Sequence, residues 1–290
     1  MPKLSTKTSA PAKTKTAKTK AASSKGRTAP KKATTSPKKS KATPERATLG
    51  AIMRELELAG TAQTRKTYAR HGVPEPMFGV SFAVLQTLLK RIGVDHGLAL
   101  ALWDTGNYDA RNLALKIAAP ATMTSAELDR WARESSMASM CGSYVAVIAE
   151  EGPYGVAKAA EWSDSTHSGE RATGWMLIGC LASRNTTLPD AWFEKRLGVI
   201  ERTIHAAPNM EREAMNRTVN ALGCRTAAVR KAALSAAKRI GPVDIDHGDT
   251  SCETPDAATY IEKAWTHSTA KGFPSPAAHE RTRKSLRLRC

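Results

Sequence analysis

Arg212, Asn216 and Asn220 fall at i, i+4 and i+8 beside the apolar Met215, Val219 and Leu222, so a helix over 210–222 carries a guanidinium and two carboxamides in one line. Donors in such a line match the phosphate and sugar oxygens of a nucleic acid backbone, although a solvated helix face has the same make-up. Asp109, Asn112 and Lys116, at i, i+3 and i+7 with Arg111 adjacent, form a second polar line. Arg65, Lys66 and Arg70 supply a third, more basic one. Six tryptophans lie mostly within apolar helical pattern, where core packing is their ordinary role. Trp175, four residues after Arg171, and Tyr144, near the middle of the chain, are the exceptions singled out for chemistry.

The elements that must position these residues are helical. Val94–Pro120 reads as two helices joined by Asp104-Thr105-Gly106-Asn107, a run dense in turn formers, with Leu113, Ala114, Ile117 and Ala118 as one apolar stripe and Pro120 as the stop. The same design recurs along the chain. Thr48 caps a helix to Gly60, and Thr61–Arg70 follows. An irregular connector covers 73–80, and Ser81 caps the next helix. Further helices are expected over 126–134, 137–149, 154–162, 168–181, 192–205, 210–222 and 226–240. Pro189 is expected at a first helical position after a cap near Thr187, and Thr254-Pro255-Asp256 is expected to cap a helix with Pro255 at its first position. Helix pairs repeating every 30 to 45 residues, with no convincing strand, predict an all-α, HEAT-like solenoid. A compact helical bundle is the structural alternative.

Charge divides the chain. Of a net +17, residues 1–47 carry +13 through twelve lysines, Arg27 and Arg46 against Glu45. That segment has almost no sizeable apolar side chain, so residues 1–47 are expected to be a disordered Lys-rich tail, 48–265 the repeat domain and 266–290 a basic C-terminal tail. Within the first tail, Ser36-Pro37-Lys38-Lys39 is similar to the SPKK element of linker-histone-type tails, which makes Lys38 and Lys39 DNA-contact residues; a purely solubilising tail is the alternative. So strong a positive charge implies a polyanionic partner, nucleic acid before a membrane surface. The longest apolar run, Gly174–Ala182, falls short of the roughly 20 residues of a membrane span, and no apolar stretch follows the basic start as a secretory signal requires. Five scattered cysteines suggest neither a disulfide framework nor a zinc module, and a reducing, cytoplasmic setting is expected. The loop with Asp244, Asp246, His247, Asp249, Cys252 and Glu253 fits no metal-site spacing and reads as a connector; no metal and no cofactor is expected.

Four runs, YARHGVPEPMFGVS (68–81), ALWDTGNYDAR (101–111), APNMEREAMN (207–216) and IGPVDIDHGDTSCETPDAATYI (240–261), together resemble the AlkD-like DNA alkylation repair family of HEAT-like repeat proteins. The resemblance implies a solenoid whose concave face cradles duplex DNA, a monomer acting at the bacterial nucleoid, and, in active relatives, excision of cationic alkylated purines. It also implies a carboxylate, an aromatic one helical turn earlier and an arginine from the next hairpin. These fall at or beside Gly142, at Met137 or Ala138, and at Arg171 or Ala172, so two of the three roles look vacant. Whether the protein is a DNA N-glycosylase is therefore open, and a non-catalytic helical-repeat scaffold or ribonucleoprotein-binding protein is the rival reading.

Overall fold

The computed structural model describes residues 47–135 and 141–289, all within a unit that begins at Arg46. The Lys-rich segment with Lys38 and Lys39 lies outside the described residues, as do Met137 and Ala138. Among the described residues every regular element is helical. None is long and apolar enough to cross a membrane.

Local chemistry starts most of the helices. Thr48 and Thr61 accept the amides of Ala51 and Thr64 and open α1 (Leu49–Ala59) and α2 (Ala62–Arg70). Ser81 precedes α3 (Phe82–Ile92) but makes no cap bond; the connector before it is held from elsewhere, as described below. Asp95 and Asn107 cap α4 (His96–Asp104) and α5 (Tyr108–Ile117), the expected hairpin. Thr124 and Glu127 form a reciprocal capping box on α6 (Ser125–Glu134). Then come α7 (Cys141–Glu151), α8 (Gly155–Ser163) and α9 (Ser168–Arg184). Pro189 is itself the residue before α10 (Asp190–Thr203), because Asn185 rather than Thr187 turns the chain, accepting from the amides of Thr187 and Leu188. After α11 (Asn209–Gly223) and α12 (Ala227–Ile240), Asp256 caps α13 (Ala257–Ala270), leaving Pro255 one residue before the cap. Short α14 (Pro276–Arg281) and a single 3-10 turn over Leu286–Leu288 close the chain.

The helices pair as the repeat pattern predicts, with α5, α7, α9 and α11 packed in succession as an inner row and α8, α10 and α12 against them outside. α9 is apolar on most sides because it lies between α7, α8 and α11. Its Gly174 passes so close to α8 that a Cβ there would stand 2.5 Å from the Ser163 nitrogen. Trp103 and Trp131 stack at 4.1 Å between centroids and, with Trp162, are fully buried, which confirms core packing for these three.

The segment after Trp265 is not a free basic tail. Trp265 is the ninth residue of α13, and residues 275–289 lie back across the repeats with Arg287 only 4% exposed. The charges there include several that pair with the body.

Candidate nucleic-acid interface

Asp109 stands in the first turn of α5 and is completely buried. Its carboxylate accepts the amides of Phe78 at 2.6 Å, Gly79 at 3.0 Å and Val80 at 2.9 Å. This carboxylate therefore shapes the irregular connector, where Gly79 adopts φ +80°, a conformation that favours glycine. Tyr68 joins the same knot by donating to the Val80 carbonyl at 2.7 Å, and burial, with Asp109 nearby, pushes its hydroxyl up to about 12. Asn112, also buried, donates to the Tyr108 carbonyl at 2.8 Å. Lys116 is fully buried, donating to the Arg287 carbonyl at 2.9 Å with the Tyr144 ring 5.4 Å away. The polar line expected on α5 is thus an interior line. The partners of Asp109 and Lys116 come from as far as 31 positions before and 171 after, which helical periodicity does not register.

The line on α11 meets a similar fate. Asn216 and Asn220 are 4% and 7% exposed, and the connector 241–256 lies against Asn216. Arg212 donates to the carbonyls of Asp244 at 2.7 Å and Ala207 at 2.9 Å, Asn209 exchanges two bonds with Asp246, and Asn216 faces the Pro255 carbonyl. In the loop itself Asp246 accepts the Gly248 amide and His247 meets Thr254, while Asp244, Asp249 and Glu253 are exposed; among the described residues no group of His, Cys, Asp or Glu could hold a metal ion.

Arginines and acids run as a ladder along the edge formed by the starts of the inner helices. Arg111 pairs with Glu134 at 2.6 Å, Arg133 with Glu170 at 2.6 Å and Arg171 with Glu211 at 2.6 Å. Each rung joins one helix pair to the next. Arg171 and Trp175, both singled out from sequence, line one open cleft of about 300 Å³ together with Ser163, Thr203, Glu211 and Met215. Glu211 is 3% exposed and raises the pKa of the Arg171 guanidinium through their hydrogen bond. Sequence reading passed over Glu211 because its neighbours Arg212 and Asn216 carried the polar pattern. Its position in the first turn of α11, where an acid favours the helix dipole, was the available signal. Tyr144 is not brought to this cleft: it is 4% exposed on α7, beside Lys116. Gly142, buried in the first turn of α7, offers no side chain where the resemblance calls for a carboxylate. Of the third line, Lys66 and Arg70 are exposed on α2, a helix with no buried residue, and Arg65 pairs with Glu75 at 2.8 Å in solvent.

The pattern that describes the DNA alkylation repair enzymes matches residues 52–261, nearly all of the repeat region. The chain belongs to that family. Two uncharacterized family relatives, from Listeria innocua and Listeria monocytogenes, are 26% and 25% identical to it, over 75% of this chain and 97% of each of theirs. A solved structure described as a new family of proteins related to the HEAT-like repeat DNA glycosylases, with affinity for branched DNA structures, superposes with a TM-score of 0.69 at 27% identity. The match covers 76% of this chain and 94% of that one. The alkylation repair family and the HEAT-like helical fold implied by the four sequence runs are thereby shown.

Proposed function

We propose that the protein is a DNA-binding member of the alkylation repair family that engages double-stranded DNA, branched forms included, as a monomer at the bacterial nucleoid, and that excises methylated purines slowly or not at all. The reading is supported by the solved relative with affinity for branched DNA, by the net +17 of the chain and by the exposed cations of α2. The observation that carries the second half is the pairing of Arg171 with buried Glu211 while Gly142 provides no acid. Loss of an already cationic base needs a held water and stabilisation of an oxocarbenium-like sugar, and among the described residues that line the cleft the carboxylate is Glu211. Glu211 is neutralised by Arg171, and Arg171 is further tied to the carbonyls of Ser165 and Thr166 at 3.0 and 3.1 Å.

Purified full-length protein is expected to bind a four-way junction and a linear duplex of equal length in a salt-dependent manner. Release of 3-methyladenine or 7-methylguanine should stay near the spontaneous rate. Rapid release that disappears in Arg171→Ala or Glu211→Gln would overturn the non-excising reading, and absence of binding to either DNA would overturn the first half.

A further inference from the structure

Residues 275–289 visit the far ends of the inner helices one after another. The Ala277 amide donates to the Cys224 carbonyl just past α11 at 3.0 Å. Arg281 donates to the Ser183 carbonyl in the last turn of α9 at 3.1 Å, and Glu280 faces Arg184 at 3.8 Å. Arg287 then donates to the Leu115 and Lys116 carbonyls at the end of α5, at 3.0 and 2.8 Å, and to Glu151 at the end of α7 at 2.8 Å. Finally the Leu288 carbonyl accepts from Gln86 on α3 at 3.4 Å.

The chemistry at Arg287 accounts for its burial. The last carbonyls of a helix have no partner within the helix and lie at the negative end of its dipole, so a guanidinium satisfies them and gains charge stabilisation together. Lys116 completes the grip by donating to Arg287's own carbonyl, while its ammonium lies near the rings of Phe82 and Tyr144. Between the two anchors, residues 281–284 are exposed. Among the described residues, the distal part is held through Arg287 and by the bonds of Lys116 and Gln86 to its backbone, with Glu280 and Arg289 paired along the strap itself.

We propose that residues 282–289 are a releasable clasp whose bolt is Arg287 and whose socket is Lys116, Glu151 and the end of α5, and that its seating holds α3, α5 and α7 at one spacing in the superhelix. The clasp opens as its own small unit, because a short exposed link joins it to a firmly packed body. Lys116 and Tyr144, which sequence patterning assigned to DNA binding and catalysis, serve it as socket and wall.

The test is backbone amide exchange on the full chain. In Arg287→Ala, exchange over α3, α5, α7 and residues 285–289 should rise roughly tenfold or more, while α10–α12 stay protected. Arg287→Lys, which keeps the charge but loses the planar fork, should fall between that variant and the natural chain. A synthetic peptide of residues 282–289 added to Arg287→Ala should restore protection, and the same peptide with alanine at 287 should not. Unchanged exchange at α5 and α7, a uniform rise that includes α10–α12, or failure of the peptide to restore protection would each overturn the clasp. A parallel Lys116→Met variant guards against a folding defect in Arg287→Ala: release confined to 285–289 and α5 supports the socket, and no release overturns it.

Discussion

Glu150 shows how one side chain senses the packing around it. It sits in the last turn of α7, with Arg184 of α9 at 3.5 Å and one carboxylate oxygen buried without a hydrogen bond. Burial is the largest influence and pushes it up to about 7; Arg184 pulls it down and Glu151 pushes it further up. Between its ordinary 4.5 and about 7 the folded chain holds a proton that the unfolded chain releases, so stability on its account is full below pH 4.5 and falls as pH rises to 7. Glu150→Gln removes that dependence. Its melting temperature should gain on the natural chain at pH 8 and show little gain at pH 5, and an equal difference at both would contradict the assignment. At the same scale, the buried acids Asp109 and Glu211 explain what helical spacing alone obscured. Each carboxylate is occupied by the protein's own donors, three amides for the first and Arg171 for the second.

Among the elements, α9 carries a tight backbone constraint. Gly174 within it would ordinarily be improved by alanine, which favours a helix by about 1 kcal/mol. Here the added methyl would meet Ser163 and Trp162 backbone atoms at 2.5 and 2.8 Å, and backbone cannot swing aside as a side-chain tip does. Gly174→Ala is expected to cost about 1–3 kcal/mol, as overpacking does. Gly198→Ala on α10, whose nearest neighbour would be the flexible end of Arg202 at 3.5 Å, should stabilise by up to about 1 kcal/mol. Denaturant midpoints moving in the same direction for both would refute the distinction. Arg225 works between elements too: 7% exposed, it donates to the carbonyls of Ala182, Asn185 and Leu188 and pairs with Asp190, stapling the turn from α9 to α10.

For the whole molecule, the proposed affinity for DNA is an electrostatic matter first. Residues 1–47 hold +13 of the net +17, and each phosphate neutralised adds about 0.9 to the log-log salt slope. Deleting residues 1–44 should flatten that slope by several units while leaving the helical content of the remainder intact. An unchanged slope would place the binding charge on the repeats instead, with Lys66 and Arg70 of α2 as the first cations to replace.

Much of the architecture was legible from sequence because it depends on neighbours within a turn or two. Thr48 caps where its type predicts, and the 104–107 turn joins two helices as its composition requires. The apolar stripes pair into repeats, and four sequence runs pointed to the family that the wider comparison confirmed. The site was legible only in part: Arg171 and Trp175 do share a cleft, but Glu211 joined them unannounced and Tyr144 stayed away. Periodicity identifies which residues share one helix face; it does not say what covers that face. Asn216 went inside where Pro255, 39 positions on, offers its carbonyl, and Lys116 went inside because Arg287 returns 171 positions later to cap its helix. A buried cation is tolerated only where carbonyls, a carboxylate or a ring face it, and such partners assemble from distant stretches once the helices have packed. Sequence determined the helices, their pairing and the charge of the chain; the tertiary structure decided which polar residues remain at the surface, because that depends on contacts between segments the chain separates.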